Sequence, residues 1–186
     1  MGKLNNKMIK SLDNNYDIVY RTKEEALLEH IGNGKRLKVL ASGKVYINDK
    51  EVTSKWKDNT RAIVRIQEDN RPTSVCRSTL VMYAFGTFDF KENKLTVVNH
   101  KDNNSLNDSL DNLETCTASE NLIHGHAYKT LLSRGFIRNG YKLSAAKAKE
   151  LLPYLKDLRL KGDSLEKEYK RVVASYNILR ELGTIV

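Results

Sequence analysis

In the middle of the chain, a short apolar run, Leu95–Val98, is followed by an asparagine and a histidine, Asn99 and His100. Two more asparagines, Asn112 and Asn121, stand 12 and 21 residues after the histidine. A histidine at the end of a strand can project into a cleft rather than into the core. We therefore expect these four polar residues to lie around one cleft.

Hydrophobic pattern and capping signals predict the elements that carry these residues. Leu95–Val98 and Leu113–Cys116 are each typical of a short strand. Thr117–Glu120 has the spacing of a capping box, which predicts a helix carrying Asn121 and His124. A strand, a polar loop, a second strand and a helix in this order predict a compact ββα unit.

The polar residues of this unit have the chemistry that phosphodiester cleavage requires. The imidazole of His100 can accept a proton from water at neutral pH. The amide oxygens of Asn99 and Asn121 suit Mg²⁺, Ca²⁺ or Mn²⁺, but neutral amides hold such ions weakly, so DNA phosphate oxygens would complete the shell. Taken singly, each of these residues is better explained as an ordinary turn, core or surface residue, whereas their combination favours a site.

The charge of the chain indicates a polyanionic partner. The 186 residues include 32 Lys and Arg against 23 Asp and Glu, for a net charge of +9. Residues 129–186 hold 13 of the basic residues and 6 of the acidic ones. A basic C-terminal third predicts a segment that binds DNA phosphates, with a general solubilising charge as an equal alternative.

The C-terminal region is predicted to contain three helices after a basic linker at 129–143. They are expected from Ala145 to Leu160, from about Ser164 to Arg171, and over Ser175–Leu182. A tight turn between the last two predicts a helix-turn-helix, with a helical bundle bearing a solvated basic face as the alternative. The predicted DNA contacts of this region are Lys161, Lys167, Lys170, Arg171, Tyr176, Asn177 and Arg180.

The N-terminal region is predicted to be mainly β structure. Residues 1–20 have no clear periodicity and are expected to be loosely ordered, whereas Thr22–Glu25 has capping-box spacing and predicts a helix over Glu24–Ile31. The remaining predicted elements are strands at Leu37–Ala41, Lys44–Asn48, Arg61–Gln67 and Thr73–Arg77, and a buried helix at Ser78–Phe85. The hairpin of the first two predicted strands is also predicted to contact DNA, on the evidence of charge alone. Its basic residues are Lys35, Arg36, Lys38 and Lys44.

Other features of the sequence restrict the compartment and the kinds of site. No run approaches the roughly 18 apolar residues of a membrane span, and the N-terminus lacks the apolar core of a secretory signal. These observations predict a cytoplasmic protein with no membrane partner. Cys76 and Cys116 form no C-x-x-C pair, which predicts two reduced thiols rather than a zinc knuckle or a disulfide framework.

The central residues together resemble the HNH nucleases of the ββα-metal fold, and most closely the branch of phage and intron-encoded homing endonucleases. The resemblance is carried by Val98–Asn104, Asn107–Leu113 and Ser119–Asn121, and it covers roughly residues 75–128. Leu80–Phe85 is similar to the helix that precedes the motif in that family.

The resemblance implies a role for each residue of the central spacing. It makes His100 the general base that activates the attacking water, and Asn99 and Asn121 the ligands of a divalent metal, Mg²⁺ or Mn²⁺. It makes Asn112 the middle asparagine of the motif, which fixes the loop and orients His100. The reaction of the family leaves 5′-phosphate and 3′-hydroxyl ends.

The resemblance also bears on residues outside the spacing. Arg77 and Lys101 are also predicted to contact DNA. Many relatives have His-Arg before the preceding helix, where this chain has Cys76-Arg77, a departure that lies outside the core site. His124 and His126 are expected to be surface or packing residues, with contact between His124 and the metal or a phosphate as the alternative, since His124 lies one turn after Asn121.

The predicted fold class is therefore α+β. It comprises an N-terminal antiparallel β region over 1–74, a ββα-metal HNH unit over 75–128, the linker, and a helix-turn-helix region over 144–186. The predicted function is a metal-dependent homing-type endonuclease that cuts double-stranded DNA at a long specific site, as a monomer or dimer on DNA, in the cytoplasm of a bacterial host if the chain is phage-encoded. The alternatives are a DNA-binding regulator with an inactive HNH domain and a protein that cuts or binds structured RNA.

Overall fold

The computed structural model describes residues 2–52, 60–68, 71–88, 96–159, 165–181 and 183. The chain divides into two compact units, 1–118 and 119–186, and each has its own hydrophobic core. The predicted α+β class is confirmed, with antiparallel sheets and five α-helices among the described residues. None of the helices within these ranges is long and apolar enough to cross a membrane.

The first unit contains helices and three separate antiparallel sheets. The first sheet has five strands in the order β1-β2-β3-β4-β5, and the others are the hairpins β6-β7 and β8-β9. The bounds are α1 Gly2–Asn15, β1 Tyr16–Arg21, β2 Glu25–His30, β3 Arg36–Leu40, β4 Val45–Ile47, β5 Lys50–Glu51, β6 Ile63–Glu68, β7 Arg71–Cys76, α2 Arg77–Ala84, β8 Thr96–His100, a 3-10 helix Leu110–Asn112, and β9 Leu113–Thr117.

The core of this unit lies on one face of the five-stranded sheet. Successive side chains of a strand point to opposite faces, so alternating apolar residues produce one buried face. Leu28 on β2 and Val39 on β3 are fully buried on that face. Leu12 of α1 and Leu80 of α2 belong to the same cluster, so both helices contribute to this core.

The prediction that the N-terminal segment is loosely ordered is wrong. Residues 2–15 form α1, and Ile9 and Leu12 are buried, 5% and 0% exposed, at helical spacing. The many Asn and Lys residues in this segment lower its average hydrophobicity, which conceals the short apolar stripe in the sequence.

The predicted helix over Glu24–Ile31 is also wrong, because this segment forms β2. The hydroxyl of Thr22 accepts hydrogen bonds from the backbone N–H groups of Glu24 and Glu25, at 3.2 and 3.0 Å, in the turn between β1 and β2. The same short-range bonding that caps a helix can therefore close a turn. The strand buries every second residue, which is a period of two and not 3.6.

The β8-β9 hairpin occupies the predicted central segments. Its antiparallel register places Asn99 opposite Glu114 and His100 opposite Leu113. His100 is the last residue of β8, and the loop 101–109 follows directly. The hairpin and this loop therefore determine where Asn99 and His100 lie.

The second unit is helical. Its elements are α3 Ala118–Ser133, which begins at the boundary, α4 Ala145–Arg159 and α5 Leu165–Glu181. Tyr128 of α3, Leu151 of α4 and Leu179 of α5 are buried in one cluster. The hydroxyl oxygen of Ser144 accepts a hydrogen bond from the Lys147 backbone N–H at 3.1 Å, which caps α4 as predicted.

Two predictions for the second unit are wrong. Residues 129–143 are not a linker, because they contain the end of α3 and the buried side chains of Phe136, Ile137 and Leu143. Two short helices with a tight turn before Ser175 are also absent: α5 is continuous over 165–181, and no Gly or Pro interrupts this range. Ser175, expected near a helix start, is buried within α5 at 5% exposure.

Candidate active site at the end of strand β8

His100 is held by a buried carboxylate. Its Nε2 atom lies 2.8 Å from Oδ1 of Asp108, whose side chain is only 2% exposed. The other oxygen of Asp108 accepts a hydrogen bond from Nε of Arg77 at 2.8 Å. Because Arg77 is always charged, it compensates the buried carboxylate, which would otherwise be costly to remove from water.

Arg77 also fixes the loop that carries Asp108. Its Nη2 atom donates a hydrogen bond to the carbonyl oxygen of Leu106 at 3.1 Å. Arg77 is the first residue of α2, and the β6-β7 hairpin brings it to this position. The structure therefore brings two predicted site residues, His100 and Arg77, together through Asp108, which the sequence prediction did not include.

Asn112 is fully buried and all of its amide groups bond within the loop. Its Nδ2 atom donates to Oδ1 of Asp102 and to the carbonyl oxygen of Asn107, at 2.9 and 2.8 Å. Its Oδ1 atom accepts from the Asp102 backbone N–H at 3.1 Å. Its own carbonyl oxygen accepts from the backbone N–H of Lys101, directly after His100. Asn112 therefore stabilises the loop conformation around the histidine.

Asp102 is a second buried carboxylate of this loop, 6% exposed. In addition to the bond from Asn112, it accepts hydrogen bonds from the Asn104 backbone N–H at 2.8 Å and from Nδ2 of Asn107 at 2.7 Å. Neutral amides thus satisfy this charge. The Asn-rich composition of the loop is explained by this network.

The turn between β3 and β4 supports the loop from another side. The Leu110 backbone N–H donates to the carbonyl oxygen of Ala41 at 2.7 Å. Gly43, with a φ of +87°, lies so close that a Cβ atom there would be 2.7 Å from the carbonyl carbon and oxygen of Asp108. Only glycine fits at this position without displacing the backbone of Asp108.

Asn99 is buried at 4% exposure and bonds to the neighbouring strand. Its Nδ2 atom donates to Oε1 of Glu114 at 2.7 Å. Asn99 and His100 therefore belong to two different hydrogen-bonded groups. Successive side chains alternate along a regular strand, but His100 is the last residue of β8, and at a strand end both side chains can reach one cleft.

The donor chemistry of this region suits a hard divalent cation. It offers the amide oxygen of Asn99 next to the carboxylate of Glu114, and oxygen ligands are those that Mg²⁺ and Mn²⁺ prefer. Within the described ranges, no group of three or more His, Cys, Asp and Glu residues could hold a metal ion alone. Asn121, the other predicted ligand, lies in the first turn of α3 in the second unit and is half-buried, and its role stays a prediction.

The predicted DNA-contacting residues differ in their exposure and in the contacts that are seen for them. Lys170, Tyr176, Asn177 and Arg180 are exposed on α5, whereas Lys161 and the side chains of Lys167 and Arg171 lie outside the described residues. Lys101 is half-buried and donates to the carbonyl oxygen of Asp111 at 3.1 Å. In the N-terminal sheet, three predicted cations form ion pairs with carboxylates: Arg36 with Glu29 at 3.0 Å, Lys38 with Glu25 at 2.8 Å, and Lys44 with Glu51 at 3.3 Å.

Two further histidines and one cysteine lie in different environments. His124 is buried beside Tyr128 with ring centroids 5.9 Å apart, and His126 is exposed. Burial raises the pKa of the Cys76 thiol, and a hydrogen bond with Arg61 only partly opposes this shift. A raised pKa favours the protonated thiol, which is the less nucleophilic form.

The sequence prediction missed Asp108, Asp102 and Glu114. The register of β8 and β9 could have identified Glu114, because two strands that pair with His100 opposite Leu113 place Asn99 opposite Glu114. No comparable signal identifies Asp108, whose bond to Arg77 joins residues 31 positions apart.

No protein-family model matches the chain, and no characterised protein matches it in sequence. A solved structure described as "DNA binding and cleavage by the HNH homing endonuclease I-HmuI" is similar in part, with a TM-score of 0.41 and 22% identity. The similarity covers 64% of this chain and 62% of that chain, so this chain spans less than two thirds of the length of that endonuclease.

Proposed function

We propose that this chain is a metal-dependent DNA endonuclease of the HNH type, which hydrolyses a phosphodiester bond at the end of strand β8. The observation that carries the proposal is the bond between Nε2 of His100 and the buried carboxylate of Asp108. A general base needs a fixed ring orientation and a defined position of the ring proton, and this bond favours one of each.

The carboxylate determines which ring nitrogen acts as the base. An ionised carboxylate only accepts hydrogen bonds, so the proton of a neutral imidazole lies on Nε2, facing Asp108. The lone pair is then on Nδ1. We propose that Nδ1 takes the proton from the water that attacks phosphorus, and that Asp108 stabilises the imidazolium that forms.

A phosphodiester also needs positive charge to stabilise the leaving oxygen. A bound Mg²⁺ or Mn²⁺ supplies Lewis-acid stabilisation of the phosphate. We propose the amide oxygen of Asn99 as a ligand of this ion. Because amides are neutral, phosphate oxygens of DNA would complete the shell, and metal affinity should rise when DNA is bound.

The partner in this proposal is double-stranded DNA. Exposed cations and polar groups on α5, notably Lys170, Asn177 and Arg180, would contact phosphates and base edges. Each chain contains one proposed general base and therefore one catalytic site. A monomer would therefore cut one strand per encounter, so nicked circles should appear before linear DNA.

The test is cleavage of supercoiled plasmids that carry genomic fragments from the source organism, with Mg²⁺ or Mn²⁺ and with EDTA. We expect nicking at a fixed position that requires the metal. The nicking rate should fall by at least about 10²-fold in His100→Ala, because the general base is removed. The wild type and the variant are compared by their single-turnover nicking rates, measured by gel electrophoresis.

His126→Ala is the matched control, since it removes an exposed histidine of the second unit. It should cut at the wild-type rate. Undiminished cleavage by His100→Ala would refute the assignment of the base. Tight, sequence-selective DNA binding without cleavage by any form of the protein would instead support the alternative of a DNA-binding regulator.

A further inference from the structure

Asn99 and Glu114 form a pair that the proposed proton transfer does not use. They are register partners on β8 and β9, and Nδ2 of Asn99 lies 2.7 Å from Oε1 of Glu114. Asn99 is 4% exposed, so its amide is confined by the surrounding protein. The half-buried Glu114 lies where solvent can still reach it in part.

This bond determines which end of the amide faces a cation. A carboxylate oxygen has no proton to donate, so the amide group that faces Glu114 must be the Nδ2 donor. The amide is planar, with Oδ1 on the other side of its carbon from Nδ2. Glu114 therefore fixes one of the two amide orientations, the one in which the oxygen is directed away from Glu114.

The pair also supplies charge that the amide lacks. An asparagine alone gives a cation only a dipole, whereas a carboxylate in direct contact with that amide adds a full negative charge nearby. A residue that bonds to a metal ligand both orients it and changes its electrostatics, and its loss typically lowers affinity by about 10–100-fold.

We infer that Glu114 is the positioning residue of the cation site: it holds Asn99 with its oxygen directed toward the cation and provides the negative charge of the site. This inference rests on the proposed function, which makes Asn99 a ligand. Glu114 on β9 thus supplies the negative charge that Asn99 on β8, a neutral amide, lacks.

The test measures Mn²⁺ binding by the full-length protein without DNA, using electron paramagnetic resonance to detect free Mn²⁺. Glu114→Ala loses both the hydrogen bond and the charge, so its affinity should fall by about 10–100-fold. Glu114→Gln keeps an acceptor oxygen but no charge, so its affinity should lie between those of Glu114→Ala and the wild type.

A reciprocal exchange distinguishes this role from a merely structural one. In Asn99→Asp/Glu114→Gln, the carboxylate moves to position 99 and the amide at 114 donates to it, so the bond and net charge are both retained. Its Mn²⁺ affinity should recover relative to Glu114→Gln. Mn²⁺ should also broaden the side-chain amide resonance of Asn99 in wild-type NMR spectra.

Glu51→Gln is the charge-matched control, since it removes one carboxylate from another sheet of the same unit. Wild-type Mn²⁺ affinity in both Glu114 variants would overturn the inference, as would an Asn99 resonance unaffected by millimolar Mn²⁺. Neither readout involves cleavage. His100→Ala should bind Mn²⁺ normally, so failure of the nuclease proposal and failure of this inference give different results.

Discussion

At the scale of single residues, the proposed base depends on Asp108. Asparagine at this position has nearly the same shape but can present an N–H group to Nε2, which would move the imidazole proton to Nδ1. Asp108→Asn should therefore lower the single-turnover cleavage rate by about 10²–10⁴-fold. The ¹⁵N chemical shifts of the His100 ring should show the exchange of tautomers.

A matched control for this variant is Asp111→Asn, because Asp111 is an exposed aspartate close to the same loop. It should leave both the rate and the His100 spectrum unchanged. If Asp108→Asn folds, as judged by circular dichroism, and cuts at the wild-type rate, then Asp108 does not set the state of the base.

The same residues show which parts of the site could be predicted from the sequence and which could not. His100 and the asparagines could be predicted because their chain spacing is itself the signal. Asp108 could not, because its role depends on the path of a loop and on Arg77, 31 positions earlier. A loop held by buried side-chain bonds has no periodicity that would reveal which of its carboxylates turn inward.

At the scale of elements, the β3-β4 turn positions the loop that carries Asp108. Gly43→Ala adds a methyl group 2.7 Å from the Asp108 carbonyl at a positive φ. We expect a loss of at least about 1 kcal/mol in the free energy of unfolding, together with slower cleavage because Asp108 is displaced from His100. Urea unfolding and single-turnover nicking measure the two effects.

Gly140→Ala separates backbone strain from displacement of the site. Gly140 has a φ of +81°, close to that of Gly43, but nothing lies within 4 Å of its Cβ position. This variant should lose stability through strain alone and should cut at the wild-type rate. Equal cleavage rates in Gly43→Ala and Gly140→Ala would contradict the positioning role of the turn.

Elements that rest on apolar runs were predictable, whereas a capping signal alone predicted some helices correctly, such as α4, and others wrongly. The β8-β9 hairpin and α2 follow from apolar runs bounded by turn residues. Thr22 and Ser175 were misread because a hydroxyl that caps a helix also closes turns or fits within a helix. Packing decided between these outcomes: Leu28 and Leu179, both fully buried, belong to cores that the local signal does not describe.

At the scale of the whole molecule, the basic residues are not equivalent. The net charge of +9 suggests a general attraction to DNA, but Lys38 on the first sheet forms an ion pair with Glu25. Lys170 and Asn177 lie seven residues apart on α5, hence on the same face, and Arg180 is exposed one turn later. The DNA-binding surface that we propose is therefore α5, where these residues are exposed.

This difference predicts how DNA affinity depends on salt. In a His100→Ala background with EDTA, Arg180→Ala should weaken binding and reduce the slope of log K against log salt by about 0.9, because one phosphate contact is lost. Lys38→Ala removes the same charge from an ion pair, so its slope should match the parent. Fluorescence anisotropy with duplex DNA over a range of salt concentrations measures all three proteins. Equal slopes throughout would mean that α5 makes no phosphate contacts, and a reduced slope in Lys38→Ala alone would transfer the DNA surface to the first unit.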